Sequence, residues 1–90
     1  MTFHEWFNNQ LVKNQIRKSD LCKVTGVGAS TIKAGNIRDY TLKMPTIIVL
    51  CEGIVILKGG SLDDFITLVQ EALETIPEYQ YAINRLEKKQ

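Results

Sequence analysis

The 90-residue sequence has few residues of the kinds that build metal sites, disulfide frameworks or acid–base active sites. It contains one histidine, His4, and two cysteines, Cys22 and Cys51, which are not closely spaced. A zinc site needs about four nitrogen, sulfur or oxygen ligands. No such cluster, no catalytic pair of titratable groups and no glycine-rich phosphate loop stands out. The sequence therefore predicts a protein that is not an enzyme and that holds no metal and no other cofactor.

Segments that direct a chain to or through a membrane are also missing. The first residues lack the basic start and apolar run of a signal peptide. The longest apolar stretch, residues 47–57, is interrupted by Glu52 and is shorter than the roughly 20 residues that cross a bilayer. Isolated cysteines in a chain without a secretion signal are usually reduced, small apolar residues. These features predict a cytoplasmic protein that has no membrane partner.

Charge is nearly balanced overall but unevenly distributed along the chain. The net charge is +1. Residues 1–44 carry seven Lys or Arg against three Asp or Glu, whereas residues 45–90 carry four against seven. The charge of the first half is thus +4 and that of the second half −3. This asymmetry favours a polyanion docked on the first half; the alternative is a chance distribution of solvated charges.

Apolar residues recur at helical spacing through most of the chain, which predicts an all-α fold. Helix 1 is expected from residue 3 to about 15, with Thr2 and Glu5 as a capping box. Residues 36–44 have no clear period and are predicted to be a loop. The other helices are expected to begin or end at residues that favour helix termini: Gly26, Gly35, Pro45, Ser61 and Pro77.

The segment 46–57 is ambiguous from its pattern alone. Its β-branched residues favour a strand. Its length, the preceding Pro45 and the helical spacing of its apolar residues favour a buried helix. The following segment is less ambiguous and predicts one apolar helical stripe, formed by Leu62, Phe65, Ile66, Val69, Leu73 and Ile76.

Residues 21–32 meet the requirements of two short helices that cross at a steep angle. Cys22 is small enough to lie where the second helix passes over the first, and Gly26 permits a positive φ in the turn. Leu21, Val27 and Ile32 supply the large apolar groups that anchor both helices. The outward residues of the second helix are small or polar, so this helix fits a DNA major groove about 12 Å wide.

From about Phe3 to Phe65 the sequence resembles the lambda-repressor/Cro-like (XRE-type) helix-turn-helix family. The resemblance implies a five-helix DNA-binding domain, residues 1–76, followed by an additional C-terminal helix in residues 77–90. It also favours the helical interpretation of residues 46–57. It rests on Ile16, Leu21-Cys22, Thr25-Gly26-Val27, Ser30-Thr31-Ile32, Pro45, Leu50, Leu57 and Ser61-Leu62-Asp63-Asp64-Phe65.

The resemblance implies a DNA-binding site of six residues. Lys18 corresponds to a phosphate-contacting residue at the start of helix 2. The other five correspond to the start and outer face of the recognition helix: Gly28, Ala29, Ser30, Thr31 and Lys33. Lysine can reach phosphate or guanine, and hydroxyl groups can donate to phosphates or base edges. The alternative for Lys18 and Lys33 is that they are ordinary surface lysines.

These features predict a Cro/repressor-like transcriptional regulator that binds double-stranded DNA as a homodimer on a palindromic operator. The apolar surplus in residues 47–57 and 79–86 predicts the dimer interface; alternatively, the final helix folds back over helix 4 of the same chain. The second hypothesis for function is a protein-interaction module of the antirepressor or antitoxin kind. Gly28 and Ala29 support it, because the family usually has a polar N-cap and a long polar residue there.

Overall fold

The computed structural model of the chain describes residues 2–34 and 42–88, and these ranges form six α-helices and no strand. The helices are α1 (Phe3–Lys13), α2 (Lys18–Thr25), α3 (Ala29–Ala34), α4 (Met44–Lys58), α5 (Leu62–Glu74) and α6 (Pro77–Lys88). Helix α2 packs against α3 and α4, α4 packs against α5, and α5 also packs against α1 and α6. The all-α prediction is therefore confirmed for these ranges.

Helix α1 begins at the predicted residue with the Thr2 half of the predicted capping box, and it ends about two residues early. The Thr2 hydroxyl accepts a hydrogen bond from the Glu5 backbone N–H at 3.2 Å, which caps the first turn. At the other end, the Asn14 side chain donates to the Gln10 carbonyl at 2.8 Å, and Gln15 has a φ of 55°. A side-chain bond to a local carbonyl and a left-handed residue both compete with helix continuation.

The ambiguous segment 46–57 is helical and lies within α4. Pro45 occupies the second helical position, one later than predicted, because the helix begins at Met44. Gly59 ends the helix with a φ of 72°. Burial of one face of the helix, which includes Ile47, Leu50 and Ile54, overrides the weak strand preference of the β-branched residues. The predicted helix end at Gly35 lies outside the described residues. The predicted loop 36–44 also lies outside them, except for residues 42–44.

The core is one cluster of buried side chains drawn from five of the helices and from Leu42. The aromatic side of α1 faces it, as predicted, and Phe7 stacks on Phe3 with ring centroids 5.8 Å apart. Leu42 was not predicted as a core residue. The cluster contains Phe3, Trp6, Phe7, Leu11, Leu21, Ile32, Leu42, Ile47, Leu50, Cys51, Ile54, Val55, Leu68 and Ala72.

The apolar stripe predicted for α5 is wrong in part. The fully buried residues of this helix are Leu68 and Ala72, while Leu62 is 71% exposed and Ile66 is 54% exposed. The apolar arc of α5 is wider than the face that α4 and α1 cover, so its outer edge stays in solvent. Leu62 and Ile66 therefore belong to the surface of the chain.

The different burial of the two cysteines allows the packing of the core around Cys51 to be tested by chemical labelling. Burial, aided by the negative charge of Glu71, raises the pKa of the Cys51 thiol to about 12, whereas Cys22 is only half-buried. Because the thiolate is the reactive species, a maleimide at neutral pH is expected to modify Cys22 and spare Cys51. Mass spectrometry after native labelling checks this, with labelling in denaturant as the control. Modification of both residues at equal rates in the native protein would contradict the burial of Cys51.

Ser61 begins α5 with a complete capping box. Its hydroxyl accepts from the Asp64 N–H at 3.4 Å, and its own N–H donates to the Asp64 carboxylate at 2.8 Å. The second bond lowers the pKa of Asp64 below its usual value. The folded state thus favours the ionised carboxylate, and its stabilising effect is complete above the normal pKa and disappears as pH falls through the lowered one.

Ser61→Ala is expected to lower the free energy of unfolding by about 1 kcal/mol at pH 7, the usual effect of losing a serine N-cap. Urea denaturation monitored by circular dichroism measures the change. Ser61→Asp is the matched control, since aspartate caps as well as serine does.

Asp64→Asn should destabilise the protein less at pH values below about 4 than at pH 7, because the wild-type carboxylate loses its charge at low pH. Urea denaturation at the two pH values measures this difference. An effect of Asp64→Asn that is independent of pH would contradict the role given to the carboxylate.

Candidate nucleic-acid interface

Helices α2 and α3 are joined by a tight turn that hydrogen bonds hold in place. Gly26 has a φ of 74°, and its N–H donates to the Cys22 carbonyl at 2.9 Å. The Thr25 hydroxyl donates to the Leu21 carbonyl at 2.7 Å and accepts from the Val27 N–H at 3.1 Å. A β-branched or other L-residue at position 26 would be strained at this φ. The predicted break of the helix at Gly26 is therefore confirmed.

Both helices of this unit are anchored by apolar side chains that point into the protein. Leu21 and Ile32 are completely buried, and Cys22 and Val27 are partly buried against the same core. These are the four residues that the sequence assigned to the inner side of the unit. These buried side chains fix the position of α3 on the core, while Ala29, Ser30 and Lys33 on its other side are exposed.

The six predicted site residues all lie on this unit, and five of them are exposed. Lys18 is the first residue of α2, while Gly28 immediately precedes α3 and Ala29, Ser30, Thr31 and Lys33 lie within it. Thr31 alone is half-buried, which leaves less of its side chain available to a ligand. The structure therefore groups the residues on two neighbouring helices that pack together.

The exposed side of the unit is basic. Residues 17–34 carry four cations, Arg17, Lys18, Lys23 and Lys33, all of them exposed, and one acidic residue, Asp20. Arg17 forms an ion pair with Asp20 at 3.3 Å, an interaction of little energetic weight at an exposed position. Arg17 and Lys23 were not predicted as site residues. Their positions in the sequence could have identified them, because Arg17 is next to Lys18 and Lys23 lies in the last turn of α2.

A second exposed feature is an apolar cleft of about 330 Å³ between α4 and α5, lined chiefly by Val55, Ile56, Leu62 and Phe65 with Glu52 at its rim. Ile56 is 56% exposed, and Ile48, which lies nearer the start of α4, is 41% exposed. Helix α6 packs mainly against α5 and does not cover these residues. The final helix therefore leaves Ile48 and Ile56 of α4 exposed, which does not support the interpretation in which it folds back over helix 4.

Within residues 2–34 and 42–88, no three His, Cys, Asp or Glu side chains lie together in a way that would hold a metal ion. No helix in this part of the chain combines the length and the apolar character needed to cross a membrane.

In comparisons with known proteins, no family model, no curated protein and no solved structure matches the chain.

Proposed function

We propose that the protein is a sequence-specific, DNA-binding transcriptional regulator of the helix-turn-helix class that acts in the cytoplasm. The observation that carries this proposal is the two-sidedness of the α2–α3 unit. Leu21 and Ile32 are buried, while the exposed residues of 17–33 include four cations and the one acidic residue there, Asp20, is half-buried. A duplex presents a dense row of phosphates beside a groove wide enough for a helix, and this surface is complementary to both features.

In the proposed complex, α3 lies in the major groove and α2 crosses the adjacent backbone. Lys18 and Lys33 neutralise phosphates and set the affinity, because each phosphate contact releases condensed counterions. The small and hydroxylated residues of α3 set the register on the bases. No cofactor takes part, and the regulator acts by occupying a promoter.

A homodimer is part of the proposal. The cleft between α4 and α5 leaves large apolar side chains in solvent, and contiguous apolar patches on soluble proteins usually mark interfaces. A second copy of the chain is the occupant that a palindromic operator calls for, because two identical units then read two half-sites. None of the residues that line the cleft belongs to α2 or α3, so pairing there leaves the basic surface free.

The test is selection of bound duplexes from a random pool, followed by binding measurements from about 50 to 200 mM salt, the range over which phosphate contacts weaken steeply. The solution mass of the free protein and of the complex is measured alongside. We expect an enriched sequence and an affinity that falls as salt rises.

The apolar cleft also favours the second hypothesis, a protein-interaction module. That hypothesis predicts no enriched sequence and no salt-sensitive retention of DNA.

A further inference from the structure

Helix α6 is only loosely attached to the rest of the chain. None of its twelve residues, all of which the structure describes, is buried, and the helix packs mainly against α5. An isolated helix of about this length is only marginally stable in water, because most helical stability in proteins comes from the packing of an apolar face. Helix α6 is therefore expected to gain stability from a second surface.

The second half of α6 presents one exposed face that α5 does not cover. Tyr81, Arg85 and Lys88 follow the i, i+4, i+7 spacing of neighbours on one side of a helix, and all three are exposed. The half-buried apolar residues of this helix lie on its other side: Tyr79, Ala82 and Ile83. The exposed face thus combines an aromatic side chain with two cations, and tyrosine and arginine are among the residues that contribute most to binding at protein interfaces.

The cleft between α4 and α5 has the complementary character. Its apolar lining includes Ile56 and Leu62, which are largely exposed. Carboxylates stand beside it, with Glu52 at its rim and Asp63 next to Leu62 in the sequence. Within the described part of the chain, neither these two carboxylates nor the two cations of α6 form an ion pair. One chain therefore carries an apolar cleft beside unpaired acids and an aromatic helix face with unpaired bases.

We propose that two copies of the chain dock reciprocally, so that the exposed face of α6 of each copy lies in the α4–α5 cleft of the other. Tyr81 fills the cleft, Arg85 pairs with Glu52 of the second copy, and Lys88 pairs with Asp63. Because each copy carries both halves of the contact, the contact is made twice around a two-fold axis and the dimer closes on itself. This inference rests on the proposed function, of which the homodimer is part, and names the segment that forms the dimer.

Charge reversal in two separate copies of the full chain tests this arrangement. Glu52→Lys and Arg85→Glu are each expected to raise the dissociation constant of the dimer about tenfold or more, because like charges then face each other across both contacts. An equimolar mixture of the two variants should recover the wild-type affinity, since each contact of the mixed dimer again joins opposite charges. Sedimentation equilibrium of each variant and of the mixture measures the three dissociation constants.

Two further variants complete the test, and circular dichroism checks that all of them are folded. Tyr81→Ala removes the aromatic group from the cleft and should raise the dissociation constant about tenfold or more, as truncation of a central interface tyrosine does. Glu87→Lys is the matched control for Arg85→Glu. It also changes the charge by two on an exposed residue of the last turns of α6, but on another face of the helix, and should leave the dimer nearly unchanged.

The outcomes separate this inference from the proposed function. A dimer that survives Tyr81→Ala and both charge reversals, or a mixture that dimerises no better than its components, would overturn the reciprocal docking and leave DNA binding by a homodimer intact. A wild-type protein that stays monomeric at all concentrations, both free and on DNA, would overturn the docking and the homodimer together. A wild type that dimerises with the expected pattern of variants but binds no duplex would support the docking and overturn the proposed DNA binding.

Discussion

Replacing Gly53 with alanine is expected to destabilise the protein by about 2–3 kcal/mol, in the upper part of the range for overpacked cores. A β-carbon at this position of α4 would overlap the Thr25 methyl carbon and would lie 2.9 Å from Leu21 Cδ1. Both separations are far below van der Waals contact, so the side chains of α2 or the two helices must move apart. The loss exceeds the roughly 1 kcal/mol by which alanine is otherwise preferred in a helix interior.

The Thr25 side chain has little freedom to relieve this overlap. Its χ1 is restricted by β-branching, and its hydroxyl is held by the bonds to the Leu21 carbonyl and the Val27 N–H. A rotation that moves the methyl group away from Gly53 would break both bonds. The strain would therefore pass to the turn at Gly26 and to α3, and duplex binding is expected to weaken together with stability.

Thermal and urea denaturation measure the effect, and a loss of 2–3 kcal/mol corresponds to a fall in Tm of about 10–20 °C for a domain of this size. Thr25→Ser removes the methyl carbon in closest contact and keeps the hydroxyl, so it should partly rescue Gly53→Ala in the double variant. Gly28→Ala is the control, because a β-carbon there meets only the Ser30 hydroxyl, at an ordinary contact distance of 4.0 Å. Equal stability of Gly53→Ala and the wild type would contradict the close packing of α2 on α4.

Removing the lysines of the basic surface is the second change with a large expected effect. Lys18→Ala and Lys33→Ala should each weaken duplex binding by about tenfold or more, because a hydrogen bond to a charged partner contributes roughly 1.5–3 kcal/mol. Each should also reduce the slope of log affinity against log salt by about 1. The double variant should reduce that slope by about 2, since the two phosphate contacts are separate.

Lys88→Ala is the matched control, because Lys88 is equally exposed but lies at the end of α6. It should leave both the affinity and the salt slope nearly unchanged. Fluorescence anisotropy with the selected duplex gives both quantities for every variant, and circular dichroism confirms that the variants are folded. An unchanged salt slope in the double variant would show that these lysines are ordinary surface residues and would count against the proposed interface.

The candidate site was largely predictable from the sequence because its requirements are local. Gly26 must allow a positive φ, and Leu21 and Ile32 must anchor the two helices. All three residues lie within one short segment of the sequence. The exposure of Lys18, Ser30 and Lys33 follows from the same periodicity. Arg17 was missed although it lies next to Lys18 in the sequence, because the resemblance implied a contact at Lys18 alone at that end of α2. The likeness to a repressor family and the binding of DNA remain predictions.

The sequence by itself determined where helices begin and end at Thr2, Gly26 and Ser61, because capping and glycine conformations depend on neighbours within a few residues. The tertiary structure decided that residues 46–57 form a helix, since the β-branched residues of that segment favour a strand, its apolar spacing favours a helix, and the pattern alone left both open. It also decided that Leu62 and Ile66 stay in solvent and that Gly53 meets Thr25. Those outcomes depend on which faces the other helices cover, and contacts between segments distant in the chain leave no local pattern.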